Sequence, residues 1–231
     1  MFQILLSRRR SQTLAVAAIV AAAVAAAAAQ PGLRHPVSGR VIASVMGYEG
    51  AAWLERPERE REEAPSKAVA ALEIKPGQIV ADVGAGSGYY TVRLAQRVGA
   101  TGKVYATDIQ PEMLTLVRER VARERLTQVE VVQATETDPR LPQNQLDLIL
   151  MVDVYHELAR PQEVLRQLRT ALKPDGRLVL IEFRKESAWV PIREEHKMSV
   201  KEARMELEAE GYRFDRVIDV LPWQHILVFR R

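Results

Sequence analysis

The strongest constraint on the fold is a regular alternation of short apolar runs and amphipathic helices from residue 66 onward. Strands are predicted at 78–83, 103–107, 129–133, 146–152, 177–183, 213–220 and 225–230. Helices are predicted at 66–72, 89–98, 111–125, 161–172 and 200–210. Strands that alternate with helices in this way indicate βαβ units. We therefore predict an α/β fold with an open, doubly wound, mostly parallel sheet, formed by residues 66–231 as one domain.

Several residues mark where these elements begin and end. The run 146–152 is almost continuously apolar, which is typical of a strand buried on both faces of its sheet. Ser199 and Glu202 have the spacing of a capping box, which predicts the start of a helix, and Gly211 predicts its end. The segment 173–176 has the composition of a turn before the next strand.

The formal net charge of +3 comes entirely from the N-terminus. Residues 1–29 contain Arg8, Arg9 and Arg10 and no acidic residue, so the remainder has 30 basic and 30 acidic side chains. A neutral remainder without a basic stripe argues against a nucleic-acid partner. The absence of cysteine excludes disulfides, thiolate metal ligands and a cysteine nucleophile.

An alanine-rich apolar run at 14–29 follows the three arginines and ends in three alanines that fit a cleavage site. A basic region, an apolar run and a small-residue site in this order are typical of a secretory signal peptide. We therefore predict a periplasmic or secreted protein that begins at Gln30. Two alternatives remain: residues 1–29 as an uncleaved inner-membrane anchor and sole membrane contact, or a cytoplasmic protein that starts at Met46.

Residues 30–65 are predicted to form an N-terminal extension. The charged run at 55–63 alternates in sign, which favours one or two solvated helical turns held by surface ion pairs. The alternative is a lid in which Trp53 and either Arg56 or Arg59 face a ligand.

A glycine-rich turn joins the first predicted strand to the helix that follows. Gly84, Gly86 and Gly88 allow the backbone to approach a ligand, and the start of a helix offers free N–H groups. The glycine spacing differs from that of a dinucleotide-binding fingerprint. Asp82 suits a cationic ligand group better than a pyrophosphate, which it would repel. Asp108 ends the second strand, where a carboxylate can accept hydrogen bonds from both hydroxyls of a ribose.

These features resemble the class I S-adenosylmethionine-dependent methyltransferases, and most closely those acting on small molecules, on quinones or on arsenite. Residues 80–88 are similar to the first motif of that family, 105–108 to the second, 146–153 to the fourth and 172–178 to the turn before the fifth strand. The resemblance covers residues 66–231. It implies a Rossmann-like sheet of seven strands with the last strand antiparallel.

The resemblance also implies that S-adenosylmethionine is the cofactor. Asp82 and the three glycines would hold its methionine part, Asp108 its ribose, and the loop after the third strand its adenine. The predicted cofactor contacts are Asp82, Gly84, Gly86, Gly88, Asp108, Ile109, Thr135, Glu136 and Asp153.

The candidate catalytic residues Asp153, Tyr155 and His156 follow the fourth strand. Methyl transfer from a sulfonium needs mainly in-line positioning, and a base is needed only where the acceptor loses a proton. His156 is either that base or a structural side chain. His196 is interpreted as a solvated loop residue and His225 as structural, so the histidine spacing predicts no metal site.

The predicted acceptor is a small molecule with some apolar character. Two other functions remain open: a nicotinamide-dependent oxidoreductase on a similar sheet, and a non-catalytic, nucleoside-binding module of the periplasm. The sequence makes no prediction of the oligomeric state.

Overall fold

A computed structural model describes residues 32–231, in which the strands form one sheet flanked by helices. The predicted signal peptide at 1–29 lies outside the described residues. Among the residues that are described, no helix is long and apolar enough to cross a membrane. Residues 34–231 form one compact unit.

The sheet contains eight strands in the order β3-β2-β1-β4-β5-β8-β7, with β6 paired to β5. The strands are β1 Ile79–Val83, β2 Lys103–Asp108, β3 Val129–Gln133, β4 Leu146–Val152, β5 Leu172–Arg184, β6 Lys197–Met198, β7 Arg213–Ile218 and β8 Gln224–Arg230. The pairs among β1 to β6 are parallel, whereas β8 runs antiparallel to both β5 and β7. The predicted α/β fold with an antiparallel last strand is confirmed. The two-residue strand β6 was not predicted.

Helices cover both faces of this sheet. They are α1 Ala51–Leu54, α2 Arg59–Glu62, α3 Pro65–Ala71, α4 Tyr89–Val98, α5 Pro111–Arg123, α6 Pro161–Ala171 and α7 Val200–Ala209. Side chains of α6 and α7 pack in one core, and side chains of α3 and α4 pack in a second. The capping box of Ser199 and Glu202 at the start of α7 is confirmed.

The central strand β4 contributes to both cores because successive side chains of a strand point to opposite faces. Ile149 and Met151 pack with α6 and α7, while Leu148 and Leu150 pack with α3 and α4. All four are fully buried. Burial of each such side chain contributes about 1.5–3 kcal/mol, which explains the continuous apolar run read from the sequence.

The predicted turn at 173–176 is part of β5 instead. Leu146 pairs with Leu172 and Leu148 pairs with Arg177, so the register shifts and residues 173–176 bulge from the strand. Gly176 lies inside this bulge, where an added Cβ would be 2.7 Å from the carbonyl oxygen of Leu146. The turn-forming residues therefore produce a bulge within β5 and do not separate α6 from the strand by a turn.

Candidate functional site

Loops at the carboxyl ends of the parallel strands enclose a cavity of about 440 Å³. Ligands of open α/β sheets bind at this edge. The predicted site residues that line the cavity are Gly84, Gly86, Asp108, Ile109, Thr135, Glu136, Asp153 and His156. Three predicted residues, Asp82, Gly88 and Tyr155, do not line it.

The glycine-rich turn between β1 and α4 has left-handed backbone at all three glycines. Gly84 has φ +72°, and a Cβ there would lie 2.5 Å from Cγ2 of Val154. Gly86 has φ +53°, and its Cβ would lie 2.7 Å from Cδ1 of Leu54. Glycine is therefore needed both for the conformation and for the close packing of the neighbouring loops.

Asp108 connects the end of β2 to the glycine turn. Its Oδ2 accepts the backbone N–H of Gly86 at 2.9 Å, and its Oδ1 accepts the N–H of Gln110 at 2.9 Å. Burial raises the pKa of Asp108, and these N–H donors oppose that shift. A carboxylate has about four lone-pair sites, so acceptor capacity remains for ligand hydroxyls.

Asp82 lies behind the glycine turn, outside the cavity lining. It is buried, and its Oδ2 accepts the hydroxyl of Thr91 at 2.6 Å. The pKa of Asp82 is raised to about 6, mainly by burial, with the hydrogen bond from Thr91 lowering it and the charge of Asp108 raising it. Its direct contact with a cofactor stays a prediction, because the immediate partner of the carboxylate is Thr91.

Ile109, Thr135 and Glu136 form the rim of the cavity after β2 and β3. The side-chain amide of Gln133 donates to the carbonyl of Ile109 at 2.7 Å, which links the two strand ends. Thr135 Oγ1 accepts the N–H of Asp138 at 3.0 Å and closes a tight turn. The loop predicted to contact adenine therefore lies at the cavity, and the adenine contact itself stays a prediction.

Asp153 follows β4 and has φ +52°, a conformation that L residues rarely adopt. Its Oδ2 accepts the side-chain amide of Gln224 at 2.7 Å, whereas its buried Oδ1 has no partner in the described part of the chain. Burial raises the pKa of Asp153 well above its usual value, as do the charges of Glu63 and Glu182. Strained backbone and an orphaned acceptor at a cavity are typical of a ligand contact.

His156 lies between two polar partners. Its Nδ1 is 2.6 Å from Oε2 of Glu182, which is fully buried at the end of β5, and its Nε2 is 3.1 Å from Nδ1 of His196. Burial lowers the pKa of His156, but the carboxylate of Glu182 outweighs burial and the net pKa is raised. Burial raises the pKa of the neighbouring Glu157 to about 7.

His196 is not the solvated loop residue that the sequence suggested. Its side chain is 28% exposed, lines the cavity and packs edge-on against His156 with 5.1 Å between ring centroids. Burial lowers its pKa, and the charge of His156 lowers it further. His225, in contrast, is buried within β8 and does not line the cavity.

Tyr155 is a structural anchor instead of a cavity residue. Its fully buried ring lies under the guanidinium of Arg40 at 5.3 Å, and its hydroxyl is 3.5 Å from Nε2 of His35. Arg40 also pairs with the buried Glu206 of α7 at 2.8 Å and donates to the carbonyl of His156 at 3.1 Å. This cluster attaches residues 34–43 to the loop that carries His156.

The charged run at 55–63 contains a buried ion pair that sequence reasoning missed. Arg59 and Glu63 are 4% and 1% exposed, their Nε and Oε2 atoms are 2.7 Å apart, and both line the cavity. The guanidinium of Arg59 lies 4.4 Å from the ring centroid of Tyr89. Trp53 and Leu54 line the same side. The interpretation as solvated turns held by surface ion pairs is therefore wrong for Arg59, because aromatic and carboxylate partners bury it. The alternative, a lid in which Trp53 and Arg59 face a ligand, agrees with the place of both side chains in the cavity lining.

The sequence and the fold of this chain are similar to those of known proteins. A family model described as a methyltransferase domain matches residues 81–180. A curated protein of Paraburkholderia phymatum, named ubiquinone/menaquinone biosynthesis C-methyltransferase UbiE, is 33% identical over 130 residues, which are 54% of this chain and 50% of that protein. A protein of the same name from Laribacter hongkongensis is 31% identical over 120 residues, 52% and 48% of the two chains. The chain thus spans about half the length of these curated relatives.

Two solved structures match a larger share of this chain than the curated relatives do. A structure of a SAM-dependent methyltransferase from Mesorhizobium loti, 18% identical, covers 80% of this chain and 100% of its own with a TM-score of 0.58, which supports the fold. A SAM-dependent methyltransferase from Aquifex aeolicus is 33% identical with a TM-score of 0.75, and the match covers 80% of this chain and 98% of that one. Because this relative is 33% identical and is covered almost completely, the chain belongs to the S-adenosylmethionine-dependent methyltransferases.

Proposed function

We propose that this protein transfers a methyl group from S-adenosylmethionine to a carbon atom of a small, largely apolar, hydroxylated ring of the quinone class. One observation carries the proposal: a single cavity joins the glycine turn and Asp108 to the His156–Glu182 pair at the ends of β4 and β5. The names of the curated relatives support the acceptor class.

The two ends of the cavity differ in chemistry, which supports a separate place for each reactant. The backbone of the glycine turn would bind the methionine part of the cofactor, and the carboxylate of Asp108 would bind its ribose. Side chains such as Leu54, Phe183 and Ile192 give the wall a largely apolar character suited to a ring. When bound, the cofactor supplies a methyl group already activated on a sulfonium. The protein then contributes mainly position and the exclusion of water.

Carbon methylation of a hydroxylated ring requires the hydroxyl to lose its proton. Glu182 holds Nδ1 of His156 and stabilises the imidazolium, so Nε2 is the atom suited to accept that proton. The ring carbon then bonds to the methyl group as the sulfur–methyl bond breaks. The hydrogen of that ring carbon finally leaves as a proton.

The test uses the full chain, S-adenosylhomocysteine, and S-adenosylmethionine carrying a labelled methyl group, with a short prenylated hydroquinone as acceptor. We expect calorimetry to show one site for S-adenosylhomocysteine and label to enter the hydroquinone. Absence of cofactor binding, or tryptophan quenching by NADH alone, would contradict the methyltransferase assignment. Binding without transfer to the hydroquinone would contradict the acceptor class.

We also propose that residues 1–29 direct export and are removed before Gln30. The support is the order of the basic cluster, the apolar run and the small-residue site. N-terminal sequencing of the native protein checks this proposal. A start at Gln30 is expected, whereas a start at Met1 or Met46 would contradict cleavage and favour an anchor or a cytoplasmic enzyme.

A further inference from the structure

Three potential metal ligands from two short turns meet at the edge of the cavity. They are Nε2 of His156, Oε1 of Glu157 and Nδ1 of His196. His156 and Glu157 belong to the 3-10 turn Tyr155–Glu157, and His196 belongs to the 3-10 turn Glu194–His196. All three side chains line the cavity.

The spacing of these three atoms fits a shared ion, although the separation of the two nitrogens also fits a hydrogen bond. The two nitrogens are 3.1 Å apart, and Oε1 of Glu157 is 3.8 Å from His156 Nε2 and 3.7 Å from His196 Nδ1. Both carboxylate distances are too long for a hydrogen bond. Ligands about 2.1 Å from a tetrahedral zinc ion are about 3.4 Å apart, close to all three values.

The surroundings of His156 are those of a metal ligand. When Nε2 of a histidine is the metal ligand, its Nδ1–H typically donates to a carboxylate, a backbone carbonyl or water, which fixes the tautomer and the ring orientation. Glu182 has this position at 2.6 Å from Nδ1, and the backbone N–H of Tyr155 donates to its other oxygen at 3.0 Å. The lone pair of Nε2 is thereby directed to the side where His196 and Glu157 lie.

We propose that His156, Glu157 and His196 bind one divalent transition-metal ion, with zinc as the best match to two imidazoles and one carboxylate. This donor set is found at catalytic zinc sites and leaves one coordination position open. The histidine spacing in the sequence gave no sign of the site, because the two ligating turns are forty residues apart and meet only through the fold.

Since all three ligands line the cavity, the open position of an ion would be accessible from the cavity. An oxygen of the acceptor ring would bind there, and the ion would lower the pKa of that hydroxyl so that its proton passes to water in place of direct transfer to Nε2. This role rests on the proposed function, whereas metal binding itself does not. The two are therefore measured separately.

The experiment uses the full chain, freed of metal with a chelator and then titrated with Zn²⁺ by calorimetry and with Co²⁺ by visible absorption. We expect one equivalent of each metal and the visible bands of Co²⁺ bound by nitrogen and oxygen. Glu157→Gln and His196→Ala are expected to weaken Zn²⁺ binding by about 100-fold or more, since loss of an outer-shell partner alone costs about 10–100-fold.

Glu194→Gln is the matched control, because this exposed carboxylate lies two residues from His196 and outside the proposed ligand set. It is expected to bind Zn²⁺ as tightly as the unmodified chain. S-adenosylhomocysteine affinity is measured for every variant to confirm folding. The metal site is refuted, while the proposed function stands, if S-adenosylhomocysteine affinity persists but Zn²⁺ does not bind to the unmodified chain. The same holds if Zn²⁺ binds to Glu157→Gln and His196→Ala as tightly as to the unmodified chain. Zn²⁺ binding without S-adenosylhomocysteine binding would instead support the site and refute the function.

Discussion

Replacing Asp108 with alanine is expected to weaken S-adenosylhomocysteine binding by about 100-fold or more. A hydrogen bond to a charged group contributes about 1.5–3 kcal/mol, and two ribose hydroxyls would donate to this carboxylate. The same change releases the N–H of Gly86, which Oδ2 now holds at 2.9 Å, so the glycine turn loses a support as well. Calorimetric titration of the full chain measures the loss.

Asp108→Asn separates these two contributions. The amide keeps one acceptor oxygen and the shape of the side chain, so an intermediate loss of about 10-fold is expected. Glu112→Ala is the control, because Glu112 is an exposed carboxylate in the first turn of α5. Affinity within a factor of two of the unmodified chain in Asp108→Ala, with an unchanged melting temperature, would contradict the assignment of Asp108 to the ribose.

The cofactor end of the site could be predicted because its signals are local. A strand, a glycine turn and a helix start are contiguous in sequence, and parallel strands bring Asp108 to the same edge as Gly84. The parallel pairing among β1 to β4 also follows from successive βαβ units. Gly84, Gly86 and Asp108 therefore line the cavity as predicted, whereas Asp82 and Gly88 do not.

The acceptor end could be predicted only in part. Asp153 and His156 are expected after β4 and line the cavity, whereas the contact of His156 with His196 joins distant segments. The charge alternation at 55–63 is the same whether its helix is solvated or packed, and only the proximity of Tyr89 and Glu63 shows that Arg59 is buried. The cluster of His156 and His196 depends on the length of the loop after β5. Tyr155 neighbours His156 in sequence, but its ring is turned away from the cavity and packs against Arg40.

Asp82→Asn is expected to stabilise the protein at pH 8 by about 3 kcal/mol. Burial raises the pKa of Asp82 from 3.8 to about 6 in the folded state. A protein loses stability through an acid with a raised folded-state pKa as the pH rises from the unfolded-state pKa to the folded-state pKa. A pKa difference of about 2 units corresponds to about 3 kcal/mol at any pH above the folded-state pKa. Asparagine removes the buried charge and still offers an oxygen to Thr91.

Urea unfolding at pH 8 and at pH 4 tests the sign as well as the size of this effect. The increase in the free energy of unfolding caused by Asp82→Asn should be largest at pH 8. It should be mostly absent at pH 4, where the carboxyl of Asp82 is protonated in the folded protein. Asp175→Asn, a change of an exposed residue in the β5 bulge, should alter the free energy of unfolding by less than about 0.5 kcal/mol at either pH.

The affinity of Asp82→Asn for S-adenosylhomocysteine should fall, since a negative charge behind the glycine turn favours a cationic ligand group. If Asp82→Asn is more stable and binds S-adenosylhomocysteine as tightly as the unmodified chain, the charge of Asp82 makes no contribution to cofactor binding. If the free energy of unfolding at pH 8 is unchanged, ionisation of the buried carboxylate does not destabilise the folded protein.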